Sequence, residues 1–188
     1  MRDTVSRTGV GPALNRYGAA AIAFHWTVAG LIVFLGALGL LFDSIPRESR
    51  PFWINVHGGV GLIYFGLVIA RLLWRAGHRP PDLPPDIGAF SRRASDAVHH
   101  LLYALMVVIP IFGVVAFVWH GRVFDYGLFQ LNFGVASNHD IFHPAEKIHQ
   151  WLAYALFGLA AVHVAGALWH QVVRRDGVLL RILPGGAG

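Results

Sequence analysis

The chain contains no cysteine. This excludes disulfides, iron–sulfur clusters, thiolate metal sites and covalent c-type haem attachment, and it removes redox state as a guide to compartment. Charge is scarce as well: 13% of residues are Asp, Glu, Lys or Arg, where soluble domains carry roughly 25%. In their place, 55% of the residues are hydrophobic and 13% aromatic, with a mean hydropathy of +0.54. No internal repeat or low-complexity block interrupts the sequence, and 188 residues suit a single domain, 1–188. One polar residue type is over-supplied against this background: there are 11 histidines.

A membrane-spanning helix needs about 20 mostly apolar residues. Such runs occur at about 17–42, 52–74, 98–119 and 148–173. Tyr17, Trp53, Trp74, Trp119 and Trp151 lie towards their ends, as interfacial aromatic belts do. The links between them carry helix breakers and polar residues: DSIPRESRP after the first run, GHRPPDLPPDIG after the second, and a longer stretch from His120 to Lys147 after the third. The pattern predicts an all-α, integral-membrane four-helix bundle in contact with lipid. No cleavable signal peptide is expected, because the first sixteen residues are mixed and polar and the following run is too long for an h-region.

The net charge is +5 and the pI about 10.2. The basic residues flank apolar runs rather than forming a stripe interleaved with base-stacking aromatics, so a nucleic-acid partner is not expected. Their distribution orients the chain. Eleven fall on the side of the termini: Arg2, Arg7, Arg16, Arg71, Arg75, Arg79, Arg92, Arg93, Arg174, Arg175 and Arg181. Four fall on the other: Arg47, Arg50, Arg122 and Lys147. Both termini are therefore predicted to be cytoplasmic.

With direction assigned, each histidine acquires a depth. His25 lies towards the inner end of the first helix, and His57 a turn or two from the outer end of the second. His149 and His163, 14 positions apart in the fourth, share a face to within about 40° and lie ~21 Å apart along the axis. That spacing suggests two stacked sites near opposite edges of a ~30 Å hydrocarbon core. His57 matches His149 on the outer side, and His25 matches His163 on the inner side. Paired neutral imidazoles without thiolate or carboxylate suit bis-histidine haem b; zinc would ask for a third or fourth protein ligand. Small residues beside them (His57-Gly58-Gly59-Val60-Gly61, and Ala160-Ala161 before Val162-His163) leave room for a bulky planar group. HGGVG is not a dinucleotide loop, since no strand precedes it. His99 is a rival inner ligand at a helix edge. Arg71 is a candidate for a haem propionate or an ordinary interfacial anchor. His170 is expected at the inner interface, near a propionate or quinone. His78, His120, His139 and His143 fall in links or at helix ends and read as solvated.

These residues resemble the bacterial cytochrome b561 family, di-haem four-helix membrane proteins that include the superoxide:ubiquinone oxidoreductase. The matching stretches are Phe24-His25-Trp26, Asn55-Val56-His57, Ala70-Arg71-Leu72-Leu73-Trp74-Arg75, and His99 eleven residues before Pro110. The series His149, His163, His170 then continues into Arg175-Asp176-Gly177-Val178-Leu179-Leu180-Arg181-Ile182-Leu183-Pro184. The resemblance covers nearly the whole chain. It implies two haems b on His25, His57, His149 and His163, exchange with ubiquinone, and a bacterial inner-membrane location.

Three functions follow in different classes: an oxidoreductase passing electrons from superoxide to ubiquinone, a cytochrome b subunit of a larger respiratory complex served by a docked redox partner, and a non-redox transport or scaffold protein. The last leaves the paired histidines unexplained. A superoxide-oxidising site would gain from a positive outer surface. Here the four outer basic residues face Asp43, Glu48, Asp125, Asp140 and Glu146, a net of −1, so steering would depend on a local cluster among Arg47, Arg50, Arg122 and Lys147.

Overall fold

The computed structural model describes residues 16–78, 80–82, 87–121 and 123–185. Arg2, Arg7, Arg79 and Arg122, which contribute to the orientation, lie outside the described residues. Four long helices dominate: α1 (Ala19–Leu41), α2 (Arg50–Gly77), α3 (Ala89–Trp119) and α4 (His139–Trp169). Each is long and apolar enough to cross a membrane. α3 packs most extensively on α4, α1 packs on α2, and α2 joins the two pairs through α3.

α3 starts at Ala89 and α4 at His139, well before the apolar runs at Val98 and Ile148. Hydropathy locates only the stretch that fits hydrocarbon, whereas backbone hydrogen bonding continues until a cap or breaker stops it. At α4 that cap is Asn138, whose side-chain oxygen accepts the Asp140 N–H. Pro51 sits in the first turn of α2, where its missing N–H removes no helical bond. Between α3 and α4 the chain forms a short hairpin, β1 (Phe124–Asp125) paired antiparallel with β2 (Gln130–Leu131). Its turn contains Gly127 at φ +75, with the Gly127 N–H donated to Asp125 Oδ1 at 2.8 Å. The hairpin touches α2 through Asn55 Nδ2, which donates to the Asp125 carbonyl at 3.4 Å.

The first and last described segments meet at the opposite end. α4 runs into a π-helical turn, His170–Arg174, that stops where Arg175 adopts φ 55. The following segment is tied to residues just before α1 and within it. Tyr17 N–H donates to the Arg181 carbonyl at 3.1 Å, Arg16 to Leu183 O at 2.7 Å, and Trp26 Nε1 to Ile182 O at 2.8 Å. The Arg181 side chain is buried and donates to Asp82 O at 2.9 Å, drawing in the α2–α3 link. The bundle thus has a terminal end and a hairpin end.

The core lies between them. Val28 of α1, Tyr64 and Val68 of α2, Met106 and Ile109 of α3, and Leu156 of α4 form one buried cluster. Outside it, large apolar side chains such as Leu73 and Trp151 are exposed, as lipid-facing surface requires. Close helix contact depends on Gly36, where a Cβ would collide with the Phe157 ring. Lipid is as apolar as this core, so the cluster stabilises through packing rather than water exclusion. Val68 is completely buried, and Val68→Ala is expected to cost about 2 kcal/mol through the cavity it leaves. Detergent-micelle unfolding followed by circular dichroism measures this.

Candidate functional site

α4 carries His149 and His163 at the two edges of the core, and α2 and α1 bring one histidine to each. At the hairpin end the His57 and His149 rings face each other with centroids 6.1 Å apart and planes at 73°. At the terminal end His25 and His163 stand 6.4 Å apart at 58°. All four are half-buried. The core cluster separates the two pairs: Leu156 is midway between His149 and His163, and Tyr64 lies two turns along α2 from His57.

His149 is held by the backbone of α3. Its Nδ1 donates to the Ile109 carbonyl at 2.8 Å, which fixes the tautomer and leaves the Nε2 lone pair free. Gly113 makes this approach possible, since a Cβ there would stand 3.0 Å from His149 Nδ1 and Cε1. His57 Nδ1 is buried and has no hydrogen-bond partner among the described residues.

The terminal-end pair has closer polar company. Arg71 donates to His25 Nδ1 at 3.3 Å. Tyr103 lies beneath both Arg71 and Arg75, with guanidinium carbons 5.5 and 5.6 Å from its ring centre. His99 joins this group. Its ring centre is 5.1 Å from that of His163 at 77°, and its Nδ1 donates to Ser95 O at 2.7 Å. The sequence-predicted residues His25, His99, His163 and Arg71 are therefore brought together at one end, and His57 and His149 at the other.

His170 stands apart from both pairs, in the π turn. Its Nδ1 pairs with Asp176 Oδ2 at 2.5 Å, and the Asp176 side chain is 4% exposed. Burial pushes the Asp176 carboxyl up, but the hydrogen bonds from His170 and the Val178 N–H, with the charges of His170 and Arg174, hold it below the usual aspartate range. Next to this pair a cleft of about 420 Å³ is lined by Gln171, Val172, Arg175, Gly177 and Leu180. Gln171 Oε1 is buried without a hydrogen bond among the described residues.

Two of the three glycines after His57 require a correction. Gly58 and Gly59 admit rings, but those rings belong to the protein: a Cβ at Gly58 would collide with Phe124, and one at Gly59 with Tyr126, whereas Gly61 keeps open space. The hairpin thus covers Gly58 and Gly59 of α2, and sequence spacing alone does not identify which ring arrives. Gly113 is a site residue that the sequence does not single out, and Asp176, though part of the matching C-terminal stretch, is not marked there as a partner of His170. Their roles depend on contacts between segments, although Gly113 three residues after Pro110 marks an unusual stretch of α3.

Residues 16–185 match the sequence profile described as prokaryotic cytochrome b561. The chain belongs to that family. Cytochrome b561 homolog 2 of Escherichia coli is 32% identical over 90% of this chain and 92% of its own length. Cytochrome b561 homolog 1 of the same organism is 24% identical over 91% and 98%. A probable superoxide oxidase CybB of Yersinia pestis is 24% identical over 90% and 97%. Membership makes the chain a multi-pass membrane cytochrome of electron transport and implies b-type haem. Gly113 is testable through its contact with His149. Gly113→Val is expected to drive the His149 ring off the Ile109 carbonyl and, if His149 holds a haem as proposed below, to lower the haem b bound per chain, measured as the pyridine haemochrome.

Proposed function

We propose that the chain is a two-haem electron-transfer protein of the bacterial inner membrane that exchanges electrons with ubiquinone. His57 and His149 would hold one haem b, and His25 and His163 the other. One observation carries this: the paired rings on facing helices, 6.1 and 6.4 Å between centroids. An imidazole–metal bond is about 2 Å long, so two opposed bonds and the half-rings beyond them span roughly 6 Å. The donor chemistry agrees, since each pair offers neutral imidazole with no thiolate or carboxylate. Bound haem supplies reversible one-electron chemistry; the chain supplies ligands, an apolar wall and local charge.

His99 is the competing ligand for the terminal end. Its 5.1 Å separation from His163 is shorter than two metal bonds require. His25 has the fitting distance. Arginine only donates, so Arg71 occupies the His25 Nδ1 lone pair and selects the tautomer with the proton on Nε2. Ligation through Nε2 requires Arg71 to release that nitrogen, which frees its guanidinium for a haem propionate.

Quinone exchange is assigned to the terminal end. Supporting this are the cleft beside the π turn, the Gln171 oxygen that has no hydrogen bond among the described residues, and the His170–Asp176 pair, which can hand a proton to a reduced quinone. A π turn near a helix end often accompanies such a site. The excess of basic residues on the termini side supports a cytoplasmic location for that end. Superoxide is the proposed donor at the hairpin end, as in the name of the Yersinia relative. The net charge of −1 on the links at that end favours a second possibility, a docked redox protein.

Reduced-minus-oxidised spectra with haem quantitation test the central claim, and fewer than two haems b per chain would contradict it. His163→Ala is expected to remove the terminal-end haem alone, while His99→Ala retains both. For the quinone site, His170→Ala is expected to keep both haems yet slow quinone-dependent reoxidation by about a hundredfold. An unchanged rate in stopped-flow measurements would move the site elsewhere. Mixing the purified protein with superoxide separates the donors, since a lone oxidase reduces its haems unaided.

A further inference from the structure

The hairpin end holds a second group of histidines that electron transfer leaves unused. His139 opens α4 and His143 lies one turn later; both are exposed. The i, i+4 spacing places them on one face. Their ring centres are 5.2 Å apart at 31°, and His139 Nδ1 approaches His143 Nε2 to 3.3 Å. A hydrogen bond between two exposed imidazoles competes with water and adds little. The same separation has another meaning. Two nitrogens bound tetrahedrally to one ion, each at about 2.0–2.1 Å, lie roughly 3.3 Å apart.

The surroundings orient this pair. Glu146 Oε2 is 3.9 Å from His143 Nδ1, the nitrogen facing away from His139. A carboxylate there favours the proton on Nδ1 and leaves the Nε2 lone pair directed at the shared point, an arrangement common around metal-bound histidine. Phe142 packs on His143 at 4.8 Å and on His120 at 4.6 Å. The backbone beneath is fixed by Asn138, which donates its N–H to Trp119 O at 2.9 Å and caps the first turn. The start of a helix repels a cation, but Asp140 and Glu146 supply opposing charge there.

We propose that His139 and His143 chelate a divalent first-row transition cation at the hairpin end, with water in the remaining positions. Among the described residues no group of three or more His, Cys, Asp or Glu is placed to hold a metal, so this is an open two-ligand site that exchanges its ion. Imidazole suits zinc, copper and nickel, and Cu²⁺ binds most tightly of the series. His143 precedes His149 by six residues, which is ~9 Å along the helix. A dication there would turn the links' net charge from −1 to +1 at the end assigned to electron uptake. That consequence rests on the electron-transfer proposal; the binding itself does not.

The test is Cu²⁺ titration of the haem-loaded, untagged protein followed by electron paramagnetic resonance. One Cu²⁺ per chain with hyperfine structure from two imidazole nitrogens is expected. His139→Ala and His143→Ala should each lose that signal, His78→Ala should keep it, and Glu146→Gln should weaken binding about tenfold. The haem absorbance of each variant reports that the bundle is intact. A two-nitrogen signal that survives in both His139→Ala and His143→Ala, or copper uptake without such a signal, would overturn the site. Unaltered affinity in Glu146→Gln would remove the carboxylate's part in it.

Discussion

A polar ring inside hydrocarbon has to find a partner, and in this bundle α4 decides where two such partners can be. His149 and His163 lie on one face with about 21 Å of helix between them. Any helix packed against that face can complete a pair only at those two depths. α2 does so with His57 and α1 with His25. The core cluster then occupies the remaining layer, with Val28, Tyr64, Val68, Met106, Ile109 and Leu156 filling the space between the pairs. The helix order follows from the same demand: α3 lies close along α4 because it supplies the carbonyl that orients His149 and the glycine that lets the ring reach it.

The two ends are built from different materials. At the hairpin end the walls are aromatic and nearly uncharged: Phe124 and Tyr126 lie over Gly58 and Gly59, beside His57. At the terminal end Arg71, Arg75, Tyr103 and His99 crowd the pair, and the C-terminal segment is stitched to Arg16 and Tyr17 just before α1, to Trp26 within it, and to the α2–α3 link. α4 needs the π turn to reach that stitching. The turn ends where Arg175 enters the left-handed region, and Asp176 then folds back to meet His170.

Much of this is legible in the sequence because membrane spans and buried histidines obey rules of position. Twenty apolar residues identify a span, and 14 positions on a helix fix relative depth and face, so spacing and orientation together suggest which histidines pair. Features created by contact between distant segments are not legible in this way. The hairpin is hidden in a link of mixed composition, and its two-residue strands are too short for alternation to reveal. Gly58 and Gly59 signal a close approach without naming Phe124 and Tyr126. Asp176 belongs to the matching C-terminal stretch, but that stretch does not name its partner, and only the π turn brings it under His170. His139 and His143 share a spacing that any helix provides, and only the cap at Asn138 shows that a helix begins there at all.

Charge at the two ends bears on direction. A site that gains an electron becomes more negative, so nearby cations favour its reduced form, and the effect is strong where the dielectric is low. Arg71 and Arg75 stand beside His25, His99 and His163, whereas the rings of Phe42, Phe124 and Tyr126 gather around His57 and its glycines. On the two-haem proposal this makes the terminal end the better electron acceptor and gives transfer along the bundle a downhill sense, from the hairpin towards the π turn. The same asymmetry suits the chemistry assigned to each end. Reduction of a quinone consumes protons and is best placed where His170 and Asp176 can relay them. Removal of an electron from a small anion, the donor proposed for the hairpin end, needs only an edge it can reach.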